Sequence, residues 1–141
     1  MTRENNGTLL PILCGYLPYG LKVLYISGDG INTYVCGVDM ISIASETVGI
    51  YQIPEPRPQV IWRGVETIKP YLRPLSSMTE EEYNELKEIE PYYGIAPFEF
   101  IDDWGPNYEV IVWLNSHHFD YMGLIKEGLA LEAPADMYVL D

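Results

Sequence analysis

The sequence predicts an α+β fold. A mainly antiparallel sheet or small open barrel runs from about Leu9 to Leu75, and helices from residues 79 to 128 pack on one of its faces. Three observations support this prediction. Residues 21–53 are rich in Val, Ile, Tyr and Thr, which favour strands. A glycine-containing turn divides this region, and helix-capping residues follow in the second half of the chain.

The first half of the chain contains the expected strands. Ser27-Gly28-Asp29-Gly30 predicts a tight hairpin turn, because its glycines accept positive φ angles. Prolines 54, 56 and 58 then indicate a stiff connector or an edge strand. The expected strands are Leu21–Ile26, Ile31–Val38, Thr47–Ile53, Val60–Arg63 and a shorter piece at Thr67–Leu72.

A change of structure is expected at Thr79. Its side chain is placed to cap a helix, and Glu82 stands three residues later, as in a capping box. Tyr83 and Leu86 have helical spacing, and Pro91 follows the predicted end. These signals predict a surface helix from about Glu80 to Ile89.

The remaining residues alternate between loop and helix. Residues 91–106, aromatic and acidic, predict an ordered loop over the core. Asn107–His118 predicts a largely buried helix, although Val110–Val112 is also typical of a strand. Asp120 is expected to cap a short helix, Tyr121–Glu127, that Gly128 ends in the left-handed conformation. Leu129–Glu132 predicts a short final strand.

The densest apolar segment predicts part of the main core. The predicted core residues are apolar positions of the second predicted helix and of the segment that follows it: Trp113, Leu114, Phe119, Leu124 and Ile125. The chain has 141 residues, 48% of them apolar, and this predicts a single domain, with about 1–75 mainly β and about 76–141 mainly α.

The net charge of −13 is distributed unevenly. Residues 1–73 contain equal numbers of acidic and basic side chains, whereas residues 74–141 contain fifteen acids and only Lys87 and Lys126. Nucleic-acid binding is therefore not expected, because it needs clustered cations. The basic residues Arg57, Arg63, Lys69 and Arg73 are expected to face the acidic second half of the same chain.

Targeting signals and disulfides are not expected. No apolar run reaches the roughly 18 residues that a membrane span requires, and the N-terminal residues lack the pattern of a secretory signal. The chain is therefore expected in the cytoplasm, without a membrane partner. Cys14 and Cys36 match no zinc-site spacing and predict two buried, reduced thiols.

His117, His118 and Asp120 form the candidate metal or acid-base cluster. Adjacent residues on a helix diverge by about 100°, so the two imidazoles do not readily share one ion. A structural role is favoured, in which the histidines end one helix and Asp120 begins the next. No phosphate-binding loop, dinucleotide fingerprint, hydrolase elbow or zinc-protease motif occurs in the sequence, so neither catalytic residues nor a cofactor are assigned.

Three blocks of sequence resemble a family of small proteins encoded by phages, prophages and gut bacteria. The blocks contain LPYGLK at residues 17–22, KPYLRPLSSMTEEE at 69–82 and WLNSHHFDYMGLI at 113–125. The stretches between the blocks are expected to be variable. The resemblance implies a genomic setting and carries over no catalytic residue, because no activity is assigned to the family.

Three hypotheses follow for the function. The favoured one is a non-enzymatic accessory protein that binds another protein, with His118, Phe119 and Tyr121 as a candidate partner surface. The second is a small metal-dependent nuclease or hydrolase that uses His117, His118 and nearby acids. The third is an inhibitor that imitates the phosphate charge of DNA with its acidic surface.

Overall fold

A computed structural model describes residues 3–53, 60–89 and 108–138 of the chain. The predicted proline connector and the predicted loop at 91–106 lie outside the described residues. Within the described residues, six strands and three α-helices form the fold. The strands form one open sheet that is antiparallel at every pairing except the last, which confirms the α+β class.

The order of strands in the sheet differs from their order in the chain. Proceeding across the sheet, the order is β4-β3-β2-β1-β5-β6, so the chain crosses from one edge to join β5 beside β1. The first four strands form an antiparallel meander, and β6 pairs in parallel with β5. The strands are β1 (Lys22–Ile26), β2 (Thr33–Ser42), β3 (Thr47–Gln52), β4 (Ile61–Gly64), β5 (Ile68–Leu72) and β6 (Leu131–Glu132).

The predicted hairpin joins β1 and β2. The Asp29 carboxylate accepts the backbone N–H of Ile31 at 2.9 Å, and Gly30 takes a φ of 73°. Beyond the turn, Tyr25 and Tyr34 pair across the strands and stack with ring centroids 6.2 Å apart. The turn chemistry therefore sets the register that brings these rings together.

The first helix corrects the sequence prediction for the N-terminal residues. The sheet was expected from about Leu9, but Arg3–Tyr16 is helical (α1). Leu9, Leu13 and Tyr16 are fully buried, and their spacing of four and three residues is that of one helix face. Helices therefore cover the sheet from both ends of the sequence.

The second helix, α2 (Glu80–Ile89), confirms the predicted capping box. The backbone N–H of Glu82 donates to the Thr79 hydroxyl at 3.1 Å, and the N–H of Thr79 donates to the Glu82 carboxylate at 3.0 Å. The third helix, α3 (Tyr108–Ser116), settles the choice between helix and strand for this apolar segment. Trp113 on α3 ties the two helices together, because its indole N–H donates to Glu85 at 3.0 Å.

The predicted helix at Tyr121–Glu127 is wrong. These residues form a succession of turns, and Gly123 already takes a positive φ of 74° inside the expected helix. Gly128 is left-handed, as expected, with a φ of 78°. The final strand is β6, which is shorter than the expected Leu129–Glu132.

One apolar cluster joins the helices to the inner face of the sheet. Trp113, Leu114, Phe119 and Leu124 are buried in it, which confirms four of the predicted core positions. Ile125 is partly buried and packs against the cluster. The sheet contributes alternate residues from its strands, among them Val23, Cys36, Val38, Ile50, Ile68 and Leu72. Cys36 is buried as expected, but Cys14 on α1 is exposed, so the prediction of two buried thiols is wrong for Cys14.

Candidate functional site

The candidate histidines follow directly after α3, where the helix ends in a left-handed turn. His118 takes a φ of 61°, and its N–H donates to the carbonyl of Asn115 at 3.1 Å. The N–H of Phe119 donates to the carbonyl of Leu114 at 3.0 Å. These two bonds form a Schellman motif with a histidine in the position that glycine usually occupies.

The two imidazoles lie in different surroundings. His117 stacks on Trp113 with ring centroids 4.0 Å apart, and its Nδ1 lies 2.9 Å from the Trp113 carbonyl. The Nε2 of His118 lies 2.7 Å from the carbonyl of Tyr19, and its ring stacks on Tyr138 at 3.6 Å. The pair is therefore divided between α3 and the C-terminal residues.

Asp120 uses both carboxylate oxygens within the local fold. Oδ1 accepts the N–H of Leu124 at 2.8 Å, and Oδ2 accepts the N–H of Ile125 at 2.9 Å. Its own N–H donates to the carbonyl of Arg73 at 2.8 Å. Asp120 thus caps backbone amides as expected, although the residues that it caps form turns instead of a helix.

These contacts assign His117, His118 and Asp120 to the turn after α3. Among the described residues, no group of three or more His, Cys, Asp or Glu side chains is placed to hold a metal ion. Burial lowers the pKa of the His118 imidazole to about 4. The hydrogen bond to the Tyr19 carbonyl acts in the opposite direction and raises this pKa, but burial has the larger effect.

The candidate partner surface of His118, Phe119 and Tyr121 is buried. The exposed fractions of these residues are 2%, 0% and 8%. The Tyr121 hydroxyl donates to Asn115 at 2.8 Å, and the guanidinium of Arg73 lies over the Phe119 ring, 4.2 Å from its centroid. The three side chains belong to the core in this structure and do not form an exposed surface.

Arg73 fastens the turn after α3 to the start of α2. Its guanidinium donates to both carboxylate oxygens of Glu82 at 2.7 Å. Burial acts to raise the pKa of Glu82, but hydrogen bonds from Arg73 and Thr79 outweigh it and hold the pKa at about 2. This pair confirms that Arg73 faces the acidic half of the chain. Arg63 instead donates to the hydroxyl of Tyr25 at 3.1 Å, so the same prediction is wrong for Arg63.

A cleft of about 450 Å³ lies beside this ion pair. The start of α2 forms one wall, and the residues after β6 form the opposite wall. The lining is mixed, with small apolar residues between the polar ones: Arg73, Pro74, Ser77, Thr79, Glu82, Glu132, Ala133, Pro134, Ala135 and Tyr138.

The opposite face of the sheet, which we call the outer face, has a different character. A Cβ built on Gly37 would point into the ring of Tyr51, and one built on Gly49 would meet Val60 and Met40. Trp62 pairs directly with Gly49 and therefore shares this face. The glycines lie beneath larger side chains from neighbouring strands.

Apolar side chains on the outer face are exposed. The exposed fraction is 45% for Trp62, 40% for Met40 and 36% for both Val35 and Val60. On the inner face of the same strands, Cys36 and Ile50 are only 3% and 4% exposed, although Ile61, which pairs with Ile50 at the β4 edge, is 45% exposed. Sequence reasoning did not identify this surface. The available signals were an indole in a strand pattern and glycines inside two strands, where close approach of another group is typical.

Comparisons with models of protein families, with curated proteins and with solved structures gave no match for this chain. In the described part of the chain, no helix has the length and apolar character that crossing a membrane requires.

Proposed function

We propose that this is a non-enzymatic accessory protein of the phage or prophage type that acts in the bacterial cytoplasm by binding another protein through the outer face of its sheet. The observation that carries the proposal is the exposure of Trp62 together with Val35, Met40 and Val60 on that face. Met40 and Val60 lie over Gly49, which pairs with Trp62, so these three side chains form one patch. Contiguous exposed apolar surface is typical of protein interaction sites.

The side chains on the outer face are suited to this role. Tryptophan is enriched among the residues that dominate binding energies, and methionine adapts its shape to a partner. The charge distribution also favours contact here, because the strands that form this face lie in the half of the chain with no net charge. A partner is therefore not required to overcome the acidic charge of residues 74–141.

A comparison of two charged substitutions tests the proposal. Trp62→Glu places a carboxylate on the outer face, and Met122→Glu places one on the turns after α3. The wild-type residues are similarly exposed, at 45% and 48%. The tagged wild type and both variants are used to capture proteins from the native host, after circular dichroism shows that all three fold.

We expect one specific partner to bind the wild type and Met122→Glu and to be lost with Trp62→Glu. Equal capture by both variants would refute the outer face as the site. Sedimentation of the purified proteins supplies a further check, because a wild-type dimer that only Trp62→Glu dissociates would identify a second copy, and not a different protein, as the occupant.

A further inference from the structure

The residues after β6 are held mainly through one side chain. We call Ala133–Tyr138 the C-terminal strap. Ala133 continues the pairing with β5 through a bond from its N–H to the carbonyl of Leu72 at 2.8 Å, while Pro134, Ala135 and Asp136 are exposed. The far end is anchored by the Tyr138 hydroxyl.

The anchor of the C-terminal strap reaches two strands. The Tyr138 hydroxyl accepts the N–H of Lys22 on β1 at 2.8 Å and donates to the carbonyl of Tyr71 on β5 at 2.8 Å. The Lys22 ammonium adds a bond to the carbonyl of Met137 at 2.7 Å. The Tyr138 ring lies nearly parallel to the His118 imidazole, at 3.6 Å and an angle of 8°.

The hydrogen bond between His118 and Tyr19 fixes the tautomer of the imidazole. A carbonyl oxygen only accepts, so Nε2, at 2.7 Å from the Tyr19 carbonyl, carries the hydrogen. Nδ1 is then an unprotonated nitrogen, and it is buried without a hydrogen-bond partner. A second proton on the ring would lie on Nδ1, and the resulting buried N–H would have no acceptor.

The charges around His118 also disfavour a second proton. Lys22 on β1, Arg73 after β5 and His117 after α3 each lower the pKa of His118, and Glu82 already pairs with Arg73. Stacking on Tyr138 does not by itself oppose an imidazolium, because aromatic faces attract cations. The missing acceptor and the neighbouring cations therefore make a second proton on the buried ring unfavourable. A protonated imidazole is stabilised most by contact with water.

We propose that the C-terminal strap is an acid-sensitive latch: a second proton on His118 releases Tyr138 from the imidazole and opens one wall of the cleft beside Arg73 and Glu82. Besides the imidazole contact, the C-terminal strap is held at one end by the backbone bond of Ala133 and at the other by the hydrogen bonds of Met137 and Tyr138, while its middle is exposed. Movement of the strap therefore breaks the bonds of Met137 and Tyr138 together with the ring stack. The remaining surroundings of His118 belong to the short 3-10 helix Leu17–Tyr19, to α3 and to the strands, all of which contribute residues that pack in or against the core.

Nuclear magnetic resonance titration from about pH 7 to about pH 3 tests the latch. The Tyr138 ring signals should move from stacked to free values with the same midpoint as the His118 ring, near pH 4. The methyl signals of buried Leu114 should stay native through this transition. Joint loss of the Leu114 signals would mean general unfolding and would overturn the proposal.

His118→Asn is the matched control, because asparagine tolerates a positive φ and does not titrate. Tyr138 should keep one position through the titration in this variant. Movement at the wild-type midpoint would assign the transition to groups other than His118 and would overturn its role.

Tyr138→Ala provides a second test that does not depend on the folding of the asparagine variant. Removing the latch exposes the imidazole, so the midpoint of His118 should rise from about 4 toward the ordinary 6.5. Tyr83→Ala on α2 is the control and should leave the midpoint unchanged. An unchanged midpoint in Tyr138→Ala would show that Tyr138 does not control the proton on His118.

Discussion

Two turns in the second half of the chain share one backbone motif but differ in the residue at its centre. In the second turn, the N–H of Gly128 donates to Ile125 at 3.1 Å and the N–H of Leu129 donates to Leu124 at 2.9 Å. The first turn makes the same two bonds around His118. Gly128 is exposed, with open space where a Cβ would lie, whereas His118 is buried.

The difference separates two reasons for the choice of a residue. At Gly128 the backbone alone explains the residue, because glycine adopts a positive φ without steric penalty. At His118 the backbone disfavours the residue, yet the imidazole is held there by Tyr19 and Tyr138. A non-glycine residue with unfavourable φ that persists in a buried place indicates a role for its side chain.

The largest expected loss of stability follows from truncating the apolar residue that closes each turn. Phe119 is fully buried and stacks on Trp113 at 5.8 Å, whereas Leu129 is 6% exposed. Phe119→Ala should lower the free energy of unfolding by about 3–5 kcal/mol, and Leu129→Ala by about 2–3 kcal/mol. Urea unfolding measures both, and a larger loss at Leu129 would contradict the view that the His118 turn is the more deeply anchored one.

The next largest expected effect is a pH dependence of folding stability that comes from His118. The pKa of His118 is lowered from 6.5 to about 4 in the folded protein, so the unfolded chain binds more protons between these values. The stabilisation is complete above pH 6.5 and is lost as the pH falls through this window, by about 3 kcal/mol.

The difference between wild type and His118→Asn isolates this contribution from that of the carboxylates. Glu82, with a pKa lowered to about 2, loses its contribution at lower pH, below its ordinary 4.5, in both proteins. Denaturation at intervals between pH 7 and pH 4 should therefore show curves that converge as the pH falls. Parallel curves would mean that His118 titrates alike in the folded and unfolded states.

Asp120 connects the two turns, and its removal should have a smaller effect. Asp120→Ala leaves the N–H groups of Leu124 and Ile125 without their carboxylate and should lower the free energy of unfolding by about 1.5–2 kcal/mol. Asp120→Asn keeps one acceptor oxygen and should lose about half as much. Equal losses in the two variants, measured by thermal unfolding, would show that the carboxylate charge is essential.

The sequence was informative where the structure is determined by near neighbours. The Ser27–Gly30 turn, the Thr79 and Glu82 capping box and the left-handed Gly128 each depend on residues within a few positions, and all three were predicted. The α+β class followed from the same local signals. The predicted helix at Tyr121–Glu127 does not form, because the positive φ of Gly123 interrupts the helical pattern that Asp120 begins.

The other differences come from contacts between distant residues. Pro11 and the Cys14-Gly15 pair hid the helical spacing of α1, which is stabilised by packing on α3 and the residues before β5. His118 contacts Tyr19, 99 residues away, and this pairing has no local signal. The exposure of Trp62 depends on which face of the sheet the helices cover, and strand alternation alone does not decide that.

The smallest expected effect compares the two turns directly through the cost of a positive φ. Gly128→Ala adds one methyl group in open space, so the backbone conformation is its main cost, about 1 kcal/mol. His118→Ala and His118→Gly both remove the imidazole and differ only in that same backbone cost, so the glycine variant should be more stable by about 1 kcal/mol. If the two differences agree in chemical denaturation, the turns are equivalent in backbone energy and the preference for histidine comes from its side chain. If His118→Ala equals His118→Gly in stability, the first turn has relaxed to a negative φ once the imidazole is gone, and the ring itself maintains the left-handed conformation.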